Sequence, residues 1–117
     1  MIKKLNFVGS SQEDIKVFPE EVRLDIGYAL FIAQRGEKSE AAKPLRGFGG
    51  AGVLEIVENF DGNTYRAVYT VKFTNALYVL HCFKKKSKHG IKTPQQDINL
   101  IKQRLRIAEE EYNAYYK

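Results

Sequence analysis

The sequence predicts an α+β fold in which N-terminal helices and a C-terminal helix pack on a four-stranded, mainly antiparallel sheet. Three observations carry that expectation. Apolar residues recur at helical spacing near both ends, alternating apolar runs follow one another in the middle, and hairpin-type turns separate those runs. At 117 residues the chain has the size of one domain, expected to span residues 1–117, and can bury a core without disulfides or metal.

Ile2 to Val8 alternates and ends at Gly9, which reads as a first strand. Ser10 stands three residues before Glu13, the spacing of a capping box, so a short helix is expected there. Pro19 suits the first turn of a second helix, along which Val22, Ile26, Leu30 and Ala33 form one apolar stripe, and Gly36 is a natural stop. From Glu37 to Gly52 periodicity vanishes. The run from Lys43 to Gly52, with its four glycines, reads as a flexible connection over the sheet edge; its backbone could approach a phosphate, but no Gly-Lys-Ser/Thr phosphate loop is present.

Three strands are expected at Val53–Glu58, Thr64–Phe73 and Leu77–Phe83, joined by Asp61-Gly62-Asn63 and Thr74-Asn75-Ala76. In the middle strand Tyr65, Ala67, Tyr69, Val71 and Phe73 share one face, and Arg66, Val68, Thr70 and Lys72 share the other, which is expected to be partly wet. Thr93 and Gln96 have capping-box spacing with Pro94 at the first helical position. Ile98, Ile101, Leu105, Ala108 and Tyr112 then line one side of a long final helix.

The net charge of +5 is unevenly spread. Residues 1–60 hold 8 basic and 9 acidic side chains, residues 61–108 hold 10 and 2, and residues 109–117 hold 1 and 3. Such asymmetry is the footprint of a face that binds polyanions, or, more plainly, of a solvated basic surface. The basic run Lys84-Lys85-Lys86-Ser87-Lys88-His89-Gly90-Ile91-Lys92 lies between a strand end and a helix start, whose dipole adds to the attraction for anions. The single cysteine, Cys82, sits in an apolar run without a partner, which fits a reducing cytoplasm. No run approaches the ~18 apolar residues of a membrane span, so no membrane association is expected.

Lys43-Pro44-Leu45-Arg46-Gly47, Tyr65-Arg66-Ala67-Val68-Tyr69 and His81-Cys82-Phe83-Lys84-Lys85-Lys86-Ser87 ahead of Thr93-Pro94, in this order, resemble the RelE/ParE toxin superfamily, and within it the phage-derived, HigB-like branch. The resemblance runs from the first strand to about Arg106. It implies a RelE-like fold and the toxin of a type II toxin–antitoxin pair. Such a toxin is commonly an endoribonuclease that cuts mRNA on the ribosome and is neutralised by a helix-turn-helix antitoxin. By position, Arg66 matches the arginine after the aromatic in the central strand, and Lys84 to Lys86 match the basic segment after the last strand. The strand that carries catalytic lysines in the best-known RelE branch reads Leu54-Glu55-Ile56-Val57 here. Two other readings stay open: a ParE-like gyrase-directed toxin, and a non-catalytic nucleic-acid-binding module.

RNA cleavage by its own 2′-hydroxyl requires a proton acceptor, a proton donor to the leaving 5′-oxygen and cations around the phosphorane. No cofactor is expected, and no cluster has metal-ligand spacing. Arg66, Lys84, Lys85, Lys86 and His89 are the candidate catalytic residues, and Lys43, Arg46, Lys88 and Lys92 the candidate RNA contacts. Arg66 suits a bidentate phosphate clamp, or else pairs across strands with Glu55 or Glu58. Placed on the wetter face, it is expected to tolerate truncation. The lysines should alternate in direction if the strand continues. His89 titrates near neutrality among cations, which suits a base but also a solvated loop histidine. His81, on the face of Leu77, Val79 and Phe83, reads as a packed structural residue. Glu55 serves as base only if its carboxylate faces the groove beside Arg66. Tyr65, Tyr69 and Tyr78 read mainly as core.

Overall fold

The structure, a computed structural model, describes residues 2–85 and 92–116. In chain order the elements are β1 (Lys4–Phe7), α1 (Ser11–Lys16), α2 (Glu20–Gln34), β2 (Ala42–Pro44), β3 (Val53–Phe60), β4 (Asn63–Thr70), β5 (Ala76–Lys85) and α3 (Gln95–Tyr115). The strands form one sheet in the order β1-β5-β4-β3-β2. The β1–β5 pair is parallel and the other neighbours are antiparallel.

The sheet is therefore five-stranded and mixed, which corrects the expected four-stranded, mainly antiparallel one. The extra strand, β2, lies inside the Gly-rich connection that reads as flexible. Three residues are too few to display alternation, yet Lys43 pairs with Glu55 and Pro44 with Leu54. Pro44 is tolerated because β2 is an edge strand. The parallel pair arises because β1 is separated from β5 by α1, α2 and three strands, ample length for a crossover.

The turn at Asp61-Gly62 has positive φ at both residues (51° and 80°), the backbone of a tight two-residue hairpin. Both capping boxes are absent. The Ser10 hydroxyl bonds Asp14 instead, and Pro19 and Pro94 occupy N-cap positions, one residue earlier than expected. Gly36 follows the end of α2 with φ 86°, the left-handed conformation glycine supplies there.

Helices cover both faces of the sheet. Val22, Ile26, Leu30 and Ala33 of α2 pack with Ile56, Tyr65, Ala67, Tyr69, Leu77, Val79 and Cys82. On the opposite face Ile101 and Ala108 of α3 pack with Val53, Val68, Tyr78 and Leu80, and Phe48 anchors the glycine-rich loop there. Within the α3 stripe Ile101 and Ala108 are fully buried, whereas Ile98, Leu105 and Tyr112 are half-buried. Burial pushes the Cys82 thiol up to about 12, which leaves it a small apolar filler.

The central position of β4 overturns the expectation of a wetter face. From Thr64 to Thr70 every residue is buried, because α2 lies over one side and α3 over the other. The strand also ends at Thr70, so Phe73 leaves the face of Tyr65 and Tyr69. It packs edge-on to Tyr78, with 5.4 Å between ring centroids. A second break in alternation lies in β5. Val68 pairs with His81 and Tyr69 with Val79, leaving Leu80 as the extra residue of a bulge. His81 thereby joins the α3 side and not the side of Leu77 and Val79.

Candidate nucleic-acid interface

Register places the site. Lys43 on β2 is opposite Glu55 on β3, Glu55 is opposite Val68 on β4, and Val68 is opposite His81 on β5. Directly paired residues share a face, so this row runs across the α3 side of the sheet. Arg66, two residues from Val68, shares that side.

Arg66 and Glu55 are 1% and 2% exposed. The Arg66 guanidinium donates to Glu55 Oε1 at 2.9 Å, and the Thr93 hydroxyl donates to Glu55 Oε2 at 2.9 Å. Arg66 also reaches the Thr93 oxygen at 3.3 Å. Thr93, read from sequence as a helix cap, instead ties the entry of α3 to the sheet through this buried trio. Arg66 Nε has no hydrogen-bond partner among the described residues. The cross-strand pairing with Glu55 is thus the one the structure contains, but Arg66 is neither exposed nor open to a phosphate.

In front of the trio lies a pocket of about 400 Å³. Lys43 and Arg46 come to it from β2 and the following loop, Lys92 from the residue before Thr93, and Lys102 from the second turn of α3. Glu55 is the only acid among its described lining residues. All four cations are exposed, so they keep their reach and their hydration, while the carboxylate below is fixed. The first turn of α3 also borders the pocket through Gln95 and Ile98, and its backbone dipole favours an anion there. Groups of this kind suit a phosphodiester held on several sides.

The structure thus brings together three of the four expected RNA contacts, Lys43, Arg46 and Lys92. Lys88 lies outside the described residues, as do Lys86 and His89. Lys84 and Lys85 alternate as expected. Lys84 pairs with Tyr65 and points to the α2 side, whereas Lys85 pairs with Thr64 on the α3 side. Lys85 donates from Nζ to the Lys92 carbonyl at 2.6 Å, so it braces the pocket's rim. Sequence reasoning missed Lys102; its spacing of four from Ile98 on α3 was the available signal.

His81 is buried, as expected, but on the other face and in a defined network. Its Nε2 lies 2.8 Å from Asp97 Oδ1, and Arg104 stands 3.5 Å from Nδ1 while donating to the Leu80 carbonyl at 3.0 Å. Asp97 and Arg104 are seven residues apart on α3, so the histidine meets the helix at two points about two turns apart. Phe83 stacks on the ring at 4.7 Å.

A mixed sheet covered on both faces, with a cation-rimmed pocket at its β2 edge, defines a small α+β protein. Residues 13–106 match the family model described as phage derived protein Gp49-like (DUF891). The match spans most of the chain, which therefore belongs to that family, part of the RelE/ParE-like toxin superfamily. No match to the chain was found among curated proteins or solved structures. No helix of the described residues is long and apolar enough to cross a membrane.

Proposed function

We propose that the chain is the toxin of a type II toxin–antitoxin pair, of the HigB-like branch, and an mRNA endoribonuclease that acts in the cytoplasm on ribosome-bound message. One observation carries the reading. Four cations from β2, its loop and the two ends of the α3 entry converge on one pocket whose floor is a fixed carboxylate. Family membership supports the toxin class.

In this reading Lys43, Arg46, Lys92 and Lys102 hold the scissile phosphate and its neighbours. The 2′-oxygen attacks phosphorus, its proton passes to Glu55, and the P–O5′ bond breaks. The 5′-oxygen takes a proton from one of the ammonium groups, leaving a 2′,3′-cyclic phosphate and a 5′-hydroxyl. Glu55 is held in place by Arg66 and Thr93. Arg66 therefore acts through Glu55 as a positioning residue. A helix-turn-helix antitoxin is the expected neutralising partner.

Exposed cations can be changed without disturbing the core, so they provide the test. Single Gln substitutions at Lys43, Arg46, Lys92 and Lys102 should each weaken binding of a single-stranded RNA. Each should also lower the salt slope by up to about 0.7 per lost phosphate contact. Growth arrest and new mRNA ends on expression should fade in parallel. Unchanged salt slopes in all four variants would remove the pocket from RNA binding, and unchanged mRNA ends on expression of the wild type would remove the ribonuclease.

A further inference from the structure

The outer side of α2 is apolar where a solvated helix is polar. Leu24, Tyr28 and Phe31 recur at i, i+4 and i+7 and are 66%, 66% and 43% exposed. The opposite stripe, Val22, Ile26, Ala29, Leu30 and Ala33, is buried against the sheet. A helix that is apolar on both sides is one expected to be covered on both sides. The three side chains lie on one surface line, because residues at these spacings share a face.

The charges beside the stripe say what covers it. Glu21 and Asp25 flank it on α2, and Glu58 of β3 joins them. The Glu58 carboxyl is raised above its ordinary range by burial, by the Asp25 charge and hydrogen bond, and by the Glu21 charge, so these three acids crowd one another. The whole chain is basic, at +5. A local acidic flank beside exposed leucine, tyrosine and phenylalanine is therefore set apart from the rest of the molecule. At the far end Arg35 lies 5.9 Å over the Phe31 ring and closes the stripe.

We propose that the outer face of α2 docks an amphipathic α-helix of a partner protein, whose apolar stripe covers Leu24, Tyr28 and Phe31 and whose flanking lysines or arginines meet Glu21, Asp25 and Glu58. Helix-on-helix packing suits this apolar line, which spans about 10 Å from Leu24 to Phe31 along the 15-residue α2. Charge complementarity selects a basic flank over an acidic one. The pocket lies on the other side of the sheet, so the partner leaves Lys43, Arg46, Lys92 and Lys102 uncovered. The inference does not rest on the ribonuclease reading, since a chain that cleaves no RNA still presents this face.

The test uses two fluorescent stapled helical peptides of about 15 residues, both with leucine at i, i+4 and i+7. One is flanked by lysine and the other by glutamate. The full chain should bind the lysine peptide with a salt-dependent affinity at least about tenfold tighter than the glutamate peptide, a difference of about 1.4 kcal/mol. The Leu24→Ser/Phe31→Ser double variant should lose that binding while still unfolding cooperatively in urea, because the buried stripe of Val22, Ile26, Ala29, Leu30 and Ala33 is untouched. RNA affinity should be the same with and without saturating lysine peptide, and the wild type alone should sediment as a monomer. Equal affinity for the two peptides, no binding of the lysine peptide, or competition with RNA overturns the proposal. So does a dimer that the double variant converts to monomer, which would make a second copy the occupant.

Discussion

Arg66→Ala should destabilise this protein strongly rather than leave its fold untouched. The guanidinium is buried in the central strand and bonded to a buried carboxylate at 2.9 Å. Its removal leaves Glu55 as an uncompensated charge in the core, a loss of about 3–5 kcal/mol. For a chain of this length 1 kcal/mol shifts Tm by about 4 °C, so melting should fall by about 12–20 °C. A second variant separates charge from volume. Arg66→Met with Glu55→Gln removes both charges and retains bulk, and should cost far less than Arg66→Ala and Glu55→Gln summed. The measurement is urea and thermal unfolding of the four proteins by circular dichroism. An Arg66→Ala protein that melts within about 3 °C of the wild type would refute the buried pair as a structural element and restore Arg66 as an exposed clamp.

Ile101→Ala should cost about 2–5 kcal/mol, the range for a fully buried isoleucine, and Leu105→Ala distinctly less because it is half-buried; urea midpoints compare the two. Gly9→Ala should destabilise by more than about 1 kcal/mol. Gly9 has φ 58°, and an added Cβ would lie 2.8 Å from the Arg104 guanidinium, so thermal melts should show the loss. Glu58→Gln should stabilise at pH 7. Its folded pKa is raised above 4.5, so the contribution of this group is fully favourable below 4.5 and declines as pH rises through the folded value. The advantage of the variant should vanish by pH 4, and a Gln variant with a lower urea midpoint at pH 7 would contradict the crowding of Glu58 with Asp25.

The three helices and four of the five strands are legible in the sequence, the two long helices and β3, β4 and β5 because each buries a periodic stripe. Val22 to Ala33 and Ile98 to Tyr112 repeat at 3.6, and the runs of β3, β4 and β5 are long enough to alternate. β2 escapes notice because an edge strand of three residues needs only backbone pairing. The parallel partnership of β1 is a tertiary fact with no local signature. The bulge at Leu80 is equally silent, and one extra residue suffices to carry His81 to the other face.

The wetter face expected for Arg66 was misread for a related reason. A period of two says which residues share a face but not whether a second layer covers that face. In β4 the alternate residues Arg66, Val68 and Thr70 look amphipathic, and that pattern matches a half-wet strand. The sequence does contain the resolution. α3 carries its own apolar stripe, which needs a partner surface, and α2 already occupies the other face. Two stripes and one sheet demand a three-layer arrangement, and a central strand of that sheet has no wet side. An arginine there must be paired, and Glu55 is the acid that antiparallel register places beside it. Among the described residues, the cations that the proposed function assigns to RNA are then those at the pocket rim, Lys43, Arg46, Lys92 and Lys102, with the carboxylate of Glu55 behind them.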